Sequence, residues 1–241
     1  MSVESDMGFR GKKALVTGGT RGIGKAIALA LAAAGAKVVA TARKPESPAM
    51  EGGVMTMAWD VAEVGKTRER LERARELLGG LDLVVNNAGV LHLPDGAPGR
   101  GKPEAEWDYV LGVNLKAACF LCREAAELMA TTGGGVIVNV ASDAGFWASA
   151  DPYALSKRGV VGFTGGLAKA YARRGVRINA VAPGPVSTSM LGCGDGQFKE
   201  AAALPLGRYA TPEEIADVAL FLASDAARAV HGQTLVANSA N

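Results

Sequence analysis

Two side chains that could move a proton, Tyr153 and Lys157, lie four residues apart in the run Tyr-Ala-Leu-Ser-Lys. In a helix this spacing places both side chains on one face. A free phenol is a poor acid or base at neutral pH, because its reference pKa is ~10. A nearby ammonium favours the phenolate, so we expect Lys157 to lower the pKa of Tyr153. The pair is therefore a candidate acid/base for interconverting a carbonyl and an alcohol. Such a short pattern on its own is more often a solvated helix face.

A glycine-rich turn stands near the start of the chain, between a predicted strand and a predicted helix. Lys12–Thr17 is a short apolar run typical of a buried parallel strand, and Lys25–Ala34 has the alanine and leucine content of a helix. Between them the spacing Gly-x-x-x-Gly-x-Gly occurs at Gly18, Gly22 and Gly24. Such a turn lets the backbone approach a pyrophosphate at the helix N-terminus. The alternative is an ordinary tight strand-to-helix turn.

The residues that follow the second predicted strand, Ala36–Thr41, bear on the choice of dinucleotide. A NAD-selective site would present an acid here to the ribose 2′-hydroxyl, but no acid occurs before Glu46. Arg43, with Arg21 of the glycine turn, would suit a 2′-phosphate, because the guanidinium fork matches phosphate oxygens. We therefore predict NADP as the cofactor, with NAD as the alternative. Both arginines would otherwise be solvated surface residues.

A third motif, Asn86-Asn87-Ala88-Gly89, directly follows the predicted apolar strand Leu81–Val85. Amides at a strand end offer hydrogen bonds, and small residues after them let a ligand approach closely. An Asx turn would be the preferred interpretation if the motif stood alone.

Together these motifs resemble those of the short-chain dehydrogenase/reductase family, in its single-domain oxidoreductase branch, and are similar to 3-oxoacyl-[acyl-carrier-protein] reductases. The resemblance runs from about Gly11 to Val236 and includes Asp60 and the segment Pro183–Thr188. It implies one dinucleotide-binding and catalytic domain over residues 1–241. The expected fold is α/β, a single-domain Rossmann fold with a doubly wound, seven-stranded parallel sheet and helices on both faces. The alternation of predicted strands and helices, among them a helix over Glu104–Ala130, indicates the same parallel sheet.

The resemblance also implies a role for each residue of the site. Tyr153 would be the acid/base, and Lys157 would lower its pKa and bind the nicotinamide ribose. Ser142 would hydrogen-bond the substrate oxygen, and Asn114 would hold a water in a relay from Lys157. The residues implied to bind the cofactor are Gly18, Thr20, Arg21, Gly22, Ile23, Gly24, Arg43, Asp60, Val61, Asn87, Ala88, Gly89, Tyr153, Lys157, Pro183, Gly184, Val186 and Thr188.

The loop between Ser142 and Tyr153 departs from the family pattern. The two residues are eleven positions apart, slightly closer than is usual, so the segment Asp143–Pro152 must be tight. Asp143 follows Ser142 directly and brings a carboxylate near the site. We expect this carboxylate to face solvent; the alternative is that it holds a hydroxyl or a cation of the substrate.

Glycines recur along the predicted helix Pro152–Arg173, at Gly159, Gly162, Gly165 and Gly166. Glycine is costly inside a helix, so the pattern indicates close packing of another helix, including one from a second copy of the chain. With the family resemblance it predicts a homotetramer.

Length and composition limit the remaining classes of function. A chain of 241 residues, 49% hydrophobic, can bury one large core, and its net charge of +2 is too small to indicate nucleic acid or a membrane surface as a partner. The polar segment Met1–Arg10 is not typical of a signal peptide, and the apolar run Ala26–Ala36 is too short to span a bilayer. We therefore expect a cytoplasmic protein.

The residues that could ligate a metal or form disulfides show no such pattern. The odd number of cysteines argues against a disulfide framework, and the pair Cys119 and Cys122 is expected to be two buried thiols. His92 and His231 belong to no ligand constellation, so no metal is predicted.

The sequence specifies the substrate least. It predicts a small-molecule carbonyl or alcohol, with pocket walls at His92 and Leu93, at Phe146 and Trp147, and along Met190–Ala203, where Gly192–Gly196 could form a lid. An acyl carrier protein would need a basic docking face, to which Arg173 and Arg174 could contribute. A sugar- or steroid-type alcohol is the alternative. A dinucleotide-sensing regulator is the least favoured reading, because a regulator has no need of the four catalytic residues together.

Overall fold

Seven parallel strands form one sheet in the computed structural model, which describes residues 8–93, 103–194 and 197–239. The order across the sheet is β3-β2-β1-β4-β5-β6-β7, so β1 lies between β2 and β4. The strands are β1 Lys13–Thr17, β2 Lys37–Ala42, β3 Met55–Ala58, β4 Leu83–Asn86, β5 Gly135–Val140, β6 Val176–Pro183 and β7 Thr234–Ala237. Consecutive neighbours pair in parallel throughout. The predicted seven-stranded parallel sheet is confirmed.

Helices cover both faces of this sheet, as predicted. They are α1 Gly22–Ala33, α2 Thr67–Leu78, α3 Glu104–Leu111, α4 Ala118–Thr131, α5 Pro152–Tyr171 and α6 Pro212–Ala223. Along β1, Ala14 and Val16 face a core shared with α1 and α6, whereas Leu15 faces a core shared with α2, α4 and α5. Because side chains alternate along a strand, β1 is buried on both faces.

Two predicted helices differ from the observed ones. The predicted continuous helix over 104–130 is interrupted by a π-helical segment, Gly112–Ala117, which joins α3 to α4. The predicted helix Pro152–Arg173 ends at Tyr171, because a 3-10 turn follows and Gly175 adopts a left-handed conformation. Side-chain periodicity could not show either change, since both keep the chain helical or nearly so.

The glycines of α5 divide into two kinds. A Cβ on Gly159 would overlap the Leu115 side chain, so this glycine allows close packing within the chain. A Cβ on Gly162 or Gly166 would meet no atom within 4 Å in the described structure. A Cβ on Gly165 would lie 3.7 Å from the Gly232 carbonyl oxygen, so the predicted glycine-lined packing occurs inside the chain at Gly159 and Gly165. Homotetramer formation stays a prediction.

The described residues also bear on the membrane, metal and thiol predictions. None of the described helices is long and apolar enough to cross a membrane, and no cluster of three potential metal ligands occurs among the described residues. Cys122 is buried, as expected, but Cys119 is only half-buried, which the apolar character of its helix did not indicate.

Candidate active site

The glycine turn after β1 is locked to the loop after β4. Gly18 adopts a left-handed conformation with φ of 62°, and a Cβ on it would lie 3.0 Å from the Ala88 Cα. A Cβ on Gly24 would overlap the Gly18 carbonyl oxygen. Asn87 closes the contact, since its Nδ2 donates to the carbonyl oxygens of Thr17 at 2.9 Å and Gly18 at 3.1 Å. The glycines are thus needed for the approach of the β1 and β4 loops as well as for a ligand.

A cleft of about 1180 Å³ opens at the carboxyl ends of β1 to β4. Open parallel sheets bind ligands at this place, where the strand order reverses and β2 and β4 lie on opposite sides of β1. Most of the predicted cofactor residues line the cleft: Gly18, Thr20, Arg21, Gly22, Ile23, Gly24, Arg43, Asp60, Val61, Asn87, Ala88, Gly89 and Thr188.

Five predicted cofactor residues do not line the cleft: Tyr153 and Lys157 lie beside it, and three others belong to the segment at and after the end of β6. Pro183 ends β6 and is buried, Gly184 packs so closely on Asn238 that a Cβ would lie 2.8 Å from its Cα, and Val186 is 3% exposed in the core. Of this segment, Thr188 reaches the cleft. The other three residues pack at and after the end of β6, and their contact with a cofactor stays a prediction.

The end of the cleft beside β2 is basic. Arg21, Arg43 and Lys44 are exposed and line it together with Glu46. The Arg43 Nη1 lies 3.4 Å from the hydroxyl of Tyr109, a cleft residue on α3 that the sequence did not reveal. The N-cap of α1, Arg21, makes no side-chain capping bond, so the positive end of the helix dipole faces the cleft without a side-chain cap. These features fit the phosphates of a dinucleotide.

Lys157 is buried beside the cleft. Its residue is 5% exposed, and its Nζ donates to the Val140 carbonyl oxygen at 2.9 Å, at the end of β5. Burial lowers the pKa of Lys157 to about 8. Its Nζ lies 5.7 Å from the centroid of the Tyr153 ring, so the four-residue spacing does bring the two side chains together. A Cβ on the cleft residue Gly89 would lie 3.6 Å from the Lys157 Nζ, which joins the pair to the cleft.

Tyr153 differs from its expected electrostatic state. Burial raises its pKa most, and the charges of Asp143 and Asp151 raise it further, while a hydrogen bond with Ser142 lowers it. The net direction is upward. The predicted lowering of the Tyr153 pKa is therefore wrong for this arrangement, because burial and the two carboxylates raise this pKa.

The short loop after β5 determines the environment of Ser142. The loop forms a 3-10 helix, Asp143–Phe146, whose N-cap is Ser142. A Cβ on Gly145 would lie 2.9 Å from the Lys157 backbone, so the turn packs directly on α5. The predicted tightness of the loop is confirmed. The same turn points Asp143 inward, where it is 4% exposed, so the expectation that it faces solvent is wrong.

Asn114 lies in the π-helical segment and is 1% exposed. Its Oδ1 accepts from the Val90 N–H at 2.8 Å, and its Nδ2 donates to the Val90 carbonyl at 2.7 Å. It therefore braces the loop after β4. A Cβ on Gly89 would lie 3.3 Å from its Oδ1, so Asn114 is adjacent to the same corner of the cleft as Lys157. Its water relay stays a prediction.

The predicted substrate walls are the most open part of the site. Phe146 and Trp147 are 48% and 51% exposed, and Met190 both lines the cleft and is exposed. In the predicted lid Gly192–Gly196, residues 195 and 196 lie outside the described residues. His92 is held locally, with its Nδ1 3.0 Å from the Leu93 carbonyl oxygen.

Comparison with known proteins agrees with this geometry. A family model described as Enoyl-(Acyl carrier protein) reductase matches residues 18–239. D-threitol dehydrogenase of Mycolicibacterium smegmatis is 39% identical, over 98% of this chain and 95% of that protein. The 3-oxoacyl-[acyl-carrier-protein] reductase of Thermotoga maritima is 37% identical, over 95% of this chain and 97% of that protein. The chain belongs to the short-chain dehydrogenase/reductase family.

A solved structure extends the comparison to the fold. A short-chain type dehydrogenase/reductase from Mycobacterium marinum superposes with a TM-score of 0.86 at 31% identity, covering 99% of this chain and 98% of that one. As a member of the short-chain dehydrogenase/reductase family, the chain is an oxidoreductase with a Rossmann nucleotide-binding fold, and the cleft at the carboxyl ends of β1 to β4 is where this fold binds its dinucleotide.

Proposed function

We propose that this protein is an NADP(H)-dependent oxidoreductase that interconverts a carbonyl and a secondary alcohol, with Tyr153 as the acid/base. The observation that carries the proposal is the meeting of Ser142, Tyr153 and Lys157 at the carboxyl end of β5, beside the cleft. A bound nicotinamide would supply or accept the hydride at the substrate carbon.

The residues around the substrate oxygen have distinct parts in this proposal. Tyr153 donates its proton to the oxygen during reduction and takes it back during oxidation. Ser142 donates a hydrogen bond to the same oxygen as charge develops there. Lys157 holds the nicotinamide ribose, and Asn114 keeps the water that renews the Tyr153 proton through Lys157.

The basic end of the cleft supports NADP over NAD. Arg21, Arg43 and Lys44 surround the position after β2 where a 2′-phosphate would lie, and guanidinium groups bind phosphate through charge-assisted hydrogen bonds. Glu46 lines the same cleft but follows the strand end by four residues, so an acid at the strand end itself is missing from the sequence.

One surface contact favours a free small molecule over a carrier-bound substrate. Arg174, a residue of the predicted basic docking face, is clamped by Glu127, with its Nη1 and Nη2 at 3.0 and 2.8 Å from the two carboxylate oxygens. The Tyr171 hydroxyl donates to Glu127 at 2.6 Å, and both partners lower the pKa of Glu127 to about 2. This pairing neutralises Arg174 as a site for an acidic carrier. The D-threitol in the name of the Mycolicibacterium smegmatis relative is a free small molecule of this kind.

The chain acts, in this proposal, as one catalytic domain in a cytoplasmic homotetramer. The substrate is sought by following nicotinamide absorbance with NADP(H) and NAD(H) over panels of ketones, polyols and sugars, steroids and 3-oxoacyl thioesters. Turnover of polyols or their ketones above that of the thioesters is expected. Turnover of the thioesters alone would favour the acyl reductase, which is the second candidate because the Thermotoga maritima relative carries that name.

Replacing Tyr153 by Phe tests the chemistry once a substrate is found. The change keeps the ring and removes the proton donor, so turnover is expected to fall by about 10²-fold or more. Cofactor affinity, measured by titration calorimetry, should change little, because Lys157 is retained. Tyr171→Phe on the same helix is the matched control and should keep its turnover, since that hydroxyl bonds Glu127 away from the cleft. Near-normal turnover of Tyr153→Phe would show that the proton comes from another group.

A further inference from the structure

Asp143 is a buried carboxylate that the proposed chemistry does not use. It is 4% exposed in the 3-10 turn after β5, next to Ser142 in the chain and facing Tyr153. Burying a carboxylate costs free energy unless hydrogen bonds and charges compensate. This carboxylate lies beside Ser142 and Tyr153, the two residues proposed to contact the substrate oxygen. It therefore affects the hydrogen bond between them.

The single proton of Ser142 has two competing acceptors. The Ser142 Oγ accepts from the Ala144 N–H at 3.3 Å and lies 3.2 Å from the Asp143 Oδ1, to which it donates. It also forms a side-chain hydrogen bond with Tyr153. A serine hydroxyl carries one proton, and a carboxylate is a stronger acceptor than a neutral phenol. When Ser142 donates to Asp143, its bond with Tyr153 must therefore have Tyr153 as the donor.

We propose that Asp143 is a positioning residue that draws the Ser142 proton toward itself and so keeps Tyr153 protonated, which sets the site for carbonyl reduction. This inference rests on the proposed acid/base role of Tyr153. During reduction the Tyr153 O–H bond breaks, its proton goes to the carbonyl oxygen, and the carbonyl carbon takes a hydride from the reduced dinucleotide. As charge develops on the substrate oxygen, the Ser142 proton turns from Asp143 to that oxygen, and the Tyr153 phenolate is protonated again through Lys157.

The charges around Tyr153 agree with this direction. Asp143 faces it from the 3-10 turn, Asp151 from the N-terminus of α5, and Lys157 from the next turn of α5. The Arg158 Nε, on the same helix, donates to the Gly145 carbonyl oxygen of the turn at 3.1 Å. After burial, the largest cause, the two carboxylates raise the pKa of Tyr153, and Asp143 does so more than Asp151.

The ionisation of Tyr153 can be measured without knowing the substrate. Phenolate formation is followed in the near-ultraviolet difference spectrum of the whole protein, and the same titration of Tyr153→Phe is subtracted to isolate one of the four tyrosines. The comparison is between wild type, Asp143→Asn and Asp151→Asn. Asparagine is nearly isosteric with aspartate and remains a good helix N-cap, so each variant removes one negative charge and keeps the local shape.

Asp143→Asn is expected to move the Tyr153 titration to lower pH, and by more than Asp151→Asn does, because only Asp143 also binds Ser142. In the background of Ser142→Ala the effect of Asp143→Asn should shrink, since the hydrogen-bonded connection is gone. An equal shift from both charge removals, or none from Asp143→Asn, would overturn the inference. Should Asp143→Asn fail to fold by circular dichroism, Asp143→Ser provides the same comparison with a smaller polar side chain.

The kinetic readout separates this inference from the proposed function. With a substrate in hand, the pH profile for alcohol oxidation should move to lower pH in Asp143→Asn, while the Tyr153→Phe variant stays nearly inactive. An unchanged profile with an inactive Tyr153→Phe variant would contradict the role of Asp143 alone. An active Tyr153→Phe variant would contradict the acid/base assignment itself.

Discussion

At the residue scale, two basic side chains of the site, Arg43 and Lys157, differ in how far they are exposed to solvent. Arg43 is exposed at the rim of the cleft, where its guanidinium can turn toward a phosphate, whereas Lys157 is buried and already bonded to the end of β5. Exchange of the first residue should therefore change ligand recognition alone, whereas exchange of the second should also change the free energy of unfolding. Their substitutions should separate ligand recognition from stability.

Arg43→Asp is expected to weaken NADP(H) selectively. The change removes a charge-assisted contact and places a negative charge near the 2′-phosphate, so kcat/KM with NADP(H) should fall by roughly 10-fold or more, at about 1.5–3 kcal/mol per charged hydrogen bond. NAD(H) should lose less or gain. Lys37→Asp makes the same charge change at the exposed amino end of the same strand and should leave the cofactor ratio unaltered. A wild type that prefers NAD(H) would contradict the assignment.

Lys157→Met should make the protein more stable at neutral pH while it removes activity. The Lys157 pKa falls from 10.5 to about 8 on folding, so below pH 8 the folded chain bears the cost of a buried charge, on the order of 3 kcal/mol. Loss of the bond to Val140 offsets about 1 kcal/mol of this gain. Between about pH 8 and 10.5 the unfolded chain holds more protons, so wild-type stability rises and the difference should shrink. Urea unfolding of both proteins near pH 8 and near pH 10.5 measures this difference in the free energy of unfolding. A difference that does not depend on pH would contradict the cost of burying the Lys157 charge.

The sequence predicts those features of the site that depend on residues close together in the chain, and it misses those that depend on distant contacts. Tyr153 with Lys157 and the glycine turn are patterns within one or two turns of chain, so the sequence predicts them. The inward turn of Asp143 depends on how a tight loop packs on α5, and the Arg174–Glu127 pair joins residues 47 positions apart. The contact of Arg43 with Tyr109 spans 66 positions. No periodicity carries such information, because these partners are set by the packing of whole elements.

At the scale of elements, the β1–α1 turn and helix α5 differ in how many of their glycines are needed sterically. In the turn, Gly18 and Gly24 give the room in which the loops after β1 and β4 meet; in α5, Gly159 makes room for Leu115, but Gly162 faces open space in the described structure. The two predicted helix boundaries that were wrong, at the π-helical segment and at the end of α5, are not marked by a residue pattern in the sequence. The number of glycines in an element therefore does not show which of them are needed for close packing; the contacts of each position do.

Gly24→Ala and Gly162→Ala should change stability in opposite directions. The Gly24 methyl would overlap the Gly18 carbonyl oxygen and Asn87, and such overpacking costs typically about 1–3 kcal/mol, with loss of dinucleotide binding. The Gly162 methyl would have no described atom within 4 Å and would reduce the backbone freedom of the unfolded chain. The free energy of unfolding should therefore rise by about 0.5–1 kcal/mol. Thermal unfolding with and without NADP compares them. A destabilised Gly162→Ala variant would contradict this expectation and would indicate a subunit contact too close for a methyl group.

At the scale of the molecule, the open face of α5 makes assembly testable. We expect a homotetramer, and because Gly162 packs on nothing within the described chain, Gly162→Leu should leave the protomer fold intact and weaken only an interface that covers it. Light scattering at micromolar concentration should show the wild type as a tetramer and the variant as smaller species, with unchanged circular dichroism. Gly159→Leu is the contrasting variant, since it would clash with Leu115 and unfold the protomer. A monomeric wild type would contradict the prediction.

The cleft joins segments that are far apart in the chain, from Gly18 after β1 to Thr188 after β6. No partly folded chain can assemble this wall, so a dinucleotide binds the native state alone. By mass action, a cofactor present at a hundred times its dissociation constant adds about 2.7 kcal/mol to the free energy of unfolding. The cellular supply of the dinucleotide thus governs how long the enzyme resists proteolysis, as well as how fast it turns over.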